Sequence, residues 1–245
     1  MSGGRGRGPV LDGDHHVHST FSDDAVSSPQ ENLDAAVRAG LATIRMVDHV
    51  RTTTTYVPDF LAVVRALPAH DGLTVLTGVE AKILDAAGAI DAPPEVLAAV
   101  GTPAGVDRVL LADHQFPGPD GPWSPRVTTE RIAAGLAPGD AVEMLVLATI
   151  RAMRSVARAQ VAHPFSLLPK IGLTEDDVSD ELLDALGAAA IETGTTVEVN
   201  EKWTCPGERV RGRWAAAGVE LVAASDAHHE SDVGAYPWLR SVGRS

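Results

Sequence analysis

Seven short runs rich in β-branched and aliphatic residues recur along this 245-residue chain and alternate with segments of helical pattern. The runs lie at 10–16, 43–47, 73–79, 108–112, 160–162, 196–199 and 219–223. Helical patterns occupy segments between them, including 28–40, 138–158 and 179–194. Strands that alternate with helices form βα units around a parallel sheet. The alternation therefore predicts an α/β fold with one parallel sheet.

The segment 28–40 carries a complete set of helix signals. Ser28 is a suitable N-cap, Pro29 occupies the first helical position, and Gly40 stands at the end. From Leu33 onward, apolar residues recur at helical spacing. These features predict a helix that begins after Ser28 and ends at Gly40.

Length and composition limit the number of domains and the class of partner. A single α/β barrel commonly has roughly 200–250 residues, and 44% hydrophobic residues are enough for a sizeable core. We predict one domain over 10–245, preceded by a flexible tail over 1–9. The net charge of −13 argues against long nucleic acids as substrates. No signal peptide or membrane-spanning run is evident, so we expect no membrane partner and a cytoplasmic location.

His, Asp and Glu residues stand where six of the seven predicted strands end. They are His16, His18, Asp23, His49, Glu80, His114, His163, Asp226 and His228. The carboxyl ends of barrel strands meet at one mouth, where active sites are built. One such residue alone would be read as a surface or helix-capping group. Nine of them at one end predict a polynuclear metal site. Since Cys205 is the only cysteine, a disulfide within the chain and a thiolate cluster are both excluded.

Seven short motifs resemble those of the PHP (polymerase and histidinol phosphatase) family, in the family's order. They are "DHHVHSTFSDDA", "MVDH", "TGVEAKI", "LADH", "VAHPF", "VEVN" and "ASDAHH", spread over residues 12–234. The chain is most similar to the small stand-alone bacterial type of this family. The resemblance implies a distorted (β/α)7 TIM-like barrel and a trinuclear centre of Zn, Mn or Fe.

The resemblance also implies which residues bind each ion. His16, His18, Glu80 and Asp226 would hold the first ion, and Glu80 would bridge to a second ion shared with His114 and His163. Asp23, His49 and His228 would hold the third. Asp14 is expected to orient a ligand, whereas His15 faces away by strand alternation.

The reaction implied by this resemblance is hydrolysis of a phosphate ester by a metal-bound hydroxide. Glu80, Asp226 and His228 would be catalytic. No side-chain nucleophile is required, and the sequence contains neither a GxSxG elbow nor a phosphate-cradling GxxxxGK[ST] motif.

Three basic residues are candidates for binding the phosphate. Lys170 and Lys202 resemble in placement the phosphate-binding residues of histidinol-phosphate phosphatases, and Arg51 closely follows His49. The loop 116–126 is expected to wall the mouth. We predict a phosphatase for a small phosphomonoester, of which histidinol phosphate is the family's best-known example.

Two alternatives remain open at this stage. One is a phosphodiesterase or nucleotide phosphoesterase of the same family, and the other is a metal-bound module without turnover. The sequence does not specify the substrate, the native metals, the oligomeric state, the pathway or the role of Cys205.

Overall fold

The computed structural model describes residues 11–242, in which strands alternate with helices except for a β-hairpin and a second helix inserted after the fourth strand. The strands are Gly13–Val17 (β1), Thr43–His49 (β2), Thr74–Lys82 (β3), Arg108–Ala112 (β4), Phe116–Gly118 (β5), Gly121–Trp123 (β6), Ala159–Val161 (β7), Thr196–Asn200 (β8) and Leu221–Ala224 (β9). The α-helices are Pro29–Ala39 (α1), Val57–Arg65 (α2), Pro94–Ala99 (α3), Pro125–Ala133 (α4), Pro138–Ser155 (α5), Asp180–Thr193 (α6), Glu208–Ala217 (α7) and Pro237–Val242 (α8). Short 3₁₀ helices span Leu168–Ile171, Glu175–Asp177 and Glu230–Asp232.

Seven parallel strands form one curved sheet in the order β1-β2-β3-β4-β7-β8-β9. The two edges of the sheet approach each other, since Val17 and Ala227 form a parallel bridge just past β9. Beyond that bridge, the His18 backbone N–H donates a 2.8 Å hydrogen bond to the Ala227 carbonyl. The predicted distorted (β/α)7 barrel, built as a single domain, is confirmed. The predicted tail over 1–9 lies outside the described residues.

The predicted ends of the first helix are confirmed by its caps. The Ser28 side chain accepts from the Glu31 backbone N–H, and the Glu31 side chain completes a capping box. Gly40 ends α1 with φ of 68°, a left-handed conformation that glycine adopts without a Cβ penalty. Leu33 and Ala36 are fully buried beneath the helix. A side-chain cap thus fixes where the chain enters the layer around the barrel.

Helix α5 shows how the helices cover the sheet. Ala141, Leu145, Ala148 and Ala152 recur three or four residues apart and are all buried. The three alanines among them let the helix approach the strands closely. In the described part of the chain, no helix is both long and apolar enough to cross a membrane.

Candidate metal centre

The carboxylate of Glu80, at the end of β3, lies among imidazoles from several strand ends. Its Oε1 atom is 3.1 Å from His114 Nε2 and 3.0 Å from His163 Nε2. Its Oε2 atom is 3.4 Å from His16 Nε2 and 3.3 Å from His18 Nε2. The two oxygens therefore face two different pairs of histidines. This arrangement could place a bridging carboxylate between two cations.

A third group of residues lies at the outer edge of the cluster. Asp24 Oδ2 is 3.4 Å from His49 Nε2 and 3.3 Å from His228 Nε2, and His49 Nδ1 is 2.9 Å from Glu80 Oε2. Asp23, the residue expected here from the sequence, lies in the wall of the same cleft. The carboxylate between the two imidazoles is that of Asp24.

One buried oxygen provides a test of whether these residues fit a metal. Glu80 Oε2 is buried without a hydrogen-bond partner, although imidazole nitrogens surround it. Buried acceptors are normally paired, and an unsatisfied one costs about 1–3 kcal/mol. A divalent cation among these atoms would satisfy the oxygen and the nitrogens together. Mixed imidazole and carboxylate donors suit zinc, manganese or iron, so the residues fit a metal centre.

Glu198 of β8 orients the His16 ring and is completely buried. Its Oε1 atom accepts from His16 Nδ1 at 2.9 Å and from Gln160 Nε2 at 2.7 Å. Its Oε2 atom accepts from Asn200 Nδ2 at 2.9 Å and from the His163 backbone N–H at 3.0 Å. A proton held on Nδ1 leaves the Nε2 lone pair of His16 facing the cluster. The sequence does not predict this role, although the motif "VEVN" contains the residue.

Buried hydroxyls orient two further rings in the same way. Ser22 Oγ is 3.2 Å from His18 Nδ1 and donates to Asp48 Oδ1 at 2.7 Å. Ser166 Oγ is 3.0 Å from His163 Nδ1 and donates to a second buried aspartate. Because each hydroxyl donates to a carboxylate, it accepts from the imidazole N–H. The Nε2 atoms of both histidines are thereby left free to bind a cation.

Two of the predicted ligands have unusual backbone conformations. His163 has φ of 27° and Asp226 has φ of 55°, values that cost a non-glycine residue about 1–3 kcal/mol each. The segment around Asp226 is held by Asp14, whose two oxygens accept from the backbone N–H groups of Ser225 and Gly234, each at 2.9 Å. Strain of this kind persists where surrounding contacts over-determine the conformation, as at ligand-binding sites.

The charges of the cluster favour cation binding. Burial alone would raise the pKa of Glu80, but the charges of His114 and His16 outweigh it and hold the pKa well below its ordinary value. Burial is likewise outweighed at Asp226, where His16 and His18 lower the pKa to about 2. Burial lowers the pKa of His18 to about 4. At His163 burial is outweighed in the other direction, because its hydrogen bonds with Asp113 and Glu80 raise the pKa to about 10. The ionised carboxylates are in the form that binds cations, whereas a protonated imidazole must release its proton as a cation binds.

The cluster opens into a cleft of about 310 Å³. Two of the predicted phosphate-binding residues, Arg51 and Lys202, line it. The Lys202 ammonium lies 3.5 Å from Asp226 Oδ1. The third, Lys170, is outside the lining, and its ammonium lies 4.1 Å from the ring centroid of Trp203, which does line the cleft. No motif in the sequence indicates that Trp203 belongs to the site.

The loop expected to wall the mouth folds mostly away from it. The hairpin formed by β5 and β6 stacks Trp123 on Phe116 with ring centroids 5.5 Å apart, and Arg131 lies over the Trp123 ring at 4.6 Å. Gln115, immediately before the hairpin, lines the cleft instead. Trp123 is 9% exposed because the apolar hairpin packs against itself and α4.

A family model described as "PHP domain" matches residues 14–202, which include six of the seven motifs, from the first histidines to "VEVN" in β8. The seventh motif, "ASDAHH", lies beyond the matched range. The chain belongs to the PHP domain family. This confirms the resemblance seen in the sequence.

Comparison with individual PHP-like proteins supports the same fold. The chain is 25% identical over 237 residues to a probable phosphatase of Caldanaerobacter subterraneus subsp. tengcongensis, covering 91% of this chain and 78% of the relative. A probable phosphatase of Thermoanaerobacter sp. strain X514 is also 25% identical, with 81% of its length covered. The crystal structure of histidinol phosphate phosphatase from Lactococcus lactis, complexed with zinc, L-histidinol and phosphate, has a TM-score of 0.62 and 15% identity. That match covers 95% of this chain and 90% of the other.

Proposed function

We propose that this PHP protein hydrolyses a small phosphomonoester with divalent cations bound at the strand ends. The observation that carries the proposal is the convergence of imidazole nitrogens on the two oxygens of Glu80, at the base of an open polar cleft. The probable phosphatases among the relatives support the reaction class. The zinc, histidinol and phosphate of the Lactococcus lactis protein support a small phosphorylated substrate.

The proposed ligands form three groups around the cleft. The first comprises His16, His18, Glu80 and Asp226, the second comprises Glu80, His114 and His163, and the third comprises His49, His228 and one of the two consecutive aspartates. We assign the third carboxylate to Asp24 because its Oδ2 atom lies within 3.4 Å of both imidazoles. Zinc, manganese and iron all suit this donor set.

Divalent cations bound here would neutralise a phosphate dianion and lower the pKa of water toward neutrality. The chain's own residues supply the rest of the chemistry. Glu80 and Asp226 place negative charge at the base of the cleft, and His228 shares its third group with the exposed Asp24. We propose that these residues orient the reacting groups, as expected for Glu80, Asp226 and His228 from the sequence.

Basic side chains at the mouth are proposed to bind the non-reacting phosphate oxygens. Arg51 follows β2 and Lys202 follows β8, and both residues line the cleft. Charge-assisted hydrogen bonds from such residues are the usual means of binding phosphate. We expect Lys202→Ala to raise KM while kcat changes less, because the lysine contributes mainly to substrate binding.

The proposal is tested by phosphate release from protein reconstituted separately with zinc and manganese. Histidinol phosphate, other small phosphomonoesters, matched diesters and mononucleotides form the substrate panel. We expect turnover of monoesters and its loss in Asp226→Asn, with circular dichroism checking that the variant remains folded.

Three outcomes would contradict the proposal. Turnover of diesters or of nucleotides alone would favour the phosphodiesterase or nucleotide phosphoesterase alternative. Silence across the panel with metals bound would favour a module without turnover. A wild-type rate in fully loaded Asp226→Asn would remove this residue from the reaction. The cytoplasmic location stays a prediction.

A further inference from the structure

Trp203 occupies a tight turn between β8 and the metal cluster. The turn 201–204 is closed by paired backbone hydrogen bonds between Asn200 and Cys205, of 2.7 and 3.3 Å. The Trp203 backbone N–H also donates to Asn200 Oδ1 at 3.2 Å. Asn200 in turn donates to Glu198, the residue that orients the His16 ring. The indole is therefore attached to the polar network beneath the cluster.

The edge of the indole determines how the Asp226 carboxylate is oriented. Trp203 Nε1 donates to Asp226 Oδ2 at 2.7 Å. The other oxygen, Oδ1, lies 3.5 Å from His18 Nε2 and 3.4 Å from His228 Nδ1. The hydrogen bond thus occupies one oxygen and leaves the second facing the histidines. Rotation of the carboxylate would exchange these two roles.

The face of the same indole bears a cation. Lys170 reaches it from the 3₁₀ helix Leu168–Ile171, with its ammonium 4.1 Å from the ring centroid. Lys202 lies farther away, at 6.0 Å. An ammonium at the first distance is attracted by the negative face of the ring. Lys170 is exposed and outside the cleft lining, but the ring that it contacts belongs to that lining.

We propose that Trp203 is a positioning residue with two separable roles. Its N–H fixes the carboxylate of Asp226 for cation binding, and its ring holds the Lys170 ammonium at the mouth, where it attracts a phosphate group. The second role rests on the proposed function, whereas the first requires only that the cluster binds metal. Trp203 belongs neither to the three proposed groups of metal ligands nor to the basic residues proposed to bind phosphate.

The first role is tested with Trp203→Phe, which keeps an aromatic face and removes the N–H. We expect metal binding to weaken by about 10–100-fold, the usual effect of removing a group that orients a ligand. The measurement is calorimetric titration of zinc and manganese into protein first stripped with a chelator. Inorganic phosphate should bind to the fully metal-loaded variant within about 2-fold of the wild type, because the cation–ring contact persists.

The second role is tested with Trp203→Leu and Lys170→Met. We expect Trp203→Leu to weaken the binding of both metal and inorganic phosphate. Lys170→Met should weaken phosphate binding alone, by a factor of about 2–5, a range typical of a single exposed charge contact. In the double variant the phosphate effects should not add, because either change alone removes the contact between the two residues.

Trp123→Phe is the matched control. Trp123 also donates its indole N–H to a carboxylate, that of Asp120, but it lies in the β5–β6 hairpin away from the cluster. We expect its metal and phosphate affinities to equal those of the wild type. Circular dichroism and the thermal midpoint would establish that every variant is folded before its affinities are compared.

Wild-type metal affinity in Trp203→Phe, or an equal loss in Trp123→Phe, would overturn the first role. Additive phosphate effects of Trp203→Leu and Lys170→Met would overturn the second. Failure of the proposed function would look different. In that case no ester would be hydrolysed, yet Trp203→Phe would still lose metal affinity.

Discussion

Two consecutive aspartates show how the choice of a single residue can alter the proposed metal centre. The motif resemblance implies Asp23 as a ligand, whereas Asp24 lies between His49 and His228. Both residues line the cleft, so their position in the chain does not distinguish them. They are distinguished by the position of the Asp24 carboxylate beside the two imidazoles.

We therefore predict different effects for the same substitution at these neighbouring positions. Asp24→Asn should lose one equivalent of bound metal, because a neutral amide oxygen attracts a cation less than a carboxylate does. Asp23→Asn should retain the full complement. Metal content after desalting into buffer of fixed low free metal, measured by mass spectrometry, would distinguish them. The reverse pattern would restore Asp23 as the ligand.

Glu198 is a second residue whose replacement we expect to change metal binding. Glu198→Gln should weaken metal binding by about 10–100-fold, because both oxygens of Glu198 accept hydrogen bonds and an amide NH2 group in either position would face donors. The His16 ring would then be held less firmly. Calorimetric titration of zinc would measure the change. Glu175→Gln is the matched control, since Glu175 accepts from the Gly207 backbone N–H outside the cluster. Equal losses in the two variants would contradict the proposed role of Glu198.

The register between neighbouring strands determines which of the proposed metal ligands lie side by side. In the parallel pairing of β2 with β3, His49 lies directly opposite Glu80. Their backbones are therefore about one strand spacing apart, roughly 4.8 Å. A register shift of one residue would turn one of the side chains to the other face. Correct pairing of these two strands is thus a requirement for the cluster.

Asp14 of β1 helps to join this strand to the segment after β9, and this contact also brings ligands from two strands together. Asp14→Asn should lower the free energy of unfolding by about 1–3 kcal/mol, because the amide cannot accept from both Ser225 and Gly234. We also expect weaker metal binding, since the segment that holds Asp226 would be less fixed. Urea unfolding and metal titration are the two measurements.

The control for this prediction is a stability change remote from the cluster. Ser28→Ala removes the cap of α1 and should cost about 1 kcal/mol without changing metal affinity. If Asp14→Asn behaves in the same way, with lower stability and unchanged metal binding, Asp14 supports the fold only.

For the whole molecule, the buried strand-end cluster couples metal binding to stability. Cations that bind only the folded protein stabilise it by about 2.7 kcal/mol when the free metal is 100 times Kd. For a chain of this size, that corresponds to a thermal midpoint higher by roughly 5–10 °C. We expect a chelator to lower the midpoint by this amount. The barrel should remain folded, because its apolar core extends through both strands and helices.

Circular dichroism melting with and without chelator would measure this effect, and re-addition of zinc should restore the higher midpoint. Magnesium, which binds poorly to imidazole, serves as the control and should restore little. An identical midpoint with and without zinc would show that the cluster binds zinc no better in the folded chain than in the unfolded chain.

The amino-acid sequence is enough to predict the α/β alternation, the caps of α1 and the metal-binding residue types at the strand ends. These features could be predicted because helix caps and strand periodicity are local, and because the carboxyl ends of parallel barrel strands meet at one mouth. The confirmed family and barrel follow from the same motifs.

Which side chains come into contact depends on the tertiary structure. His16 and Glu198 are separated by 182 positions. Trp203 and Asp226 are separated by 23 positions that include α7 and β9, and no local rule brings them together. The choice between Asp23 and Asp24, and the inward packing of Trp123, depend on turns in which side-chain direction follows the backbone torsions. Those torsions are fixed by contacts made when the barrel closes, so periodicity and spacing carry no information about them.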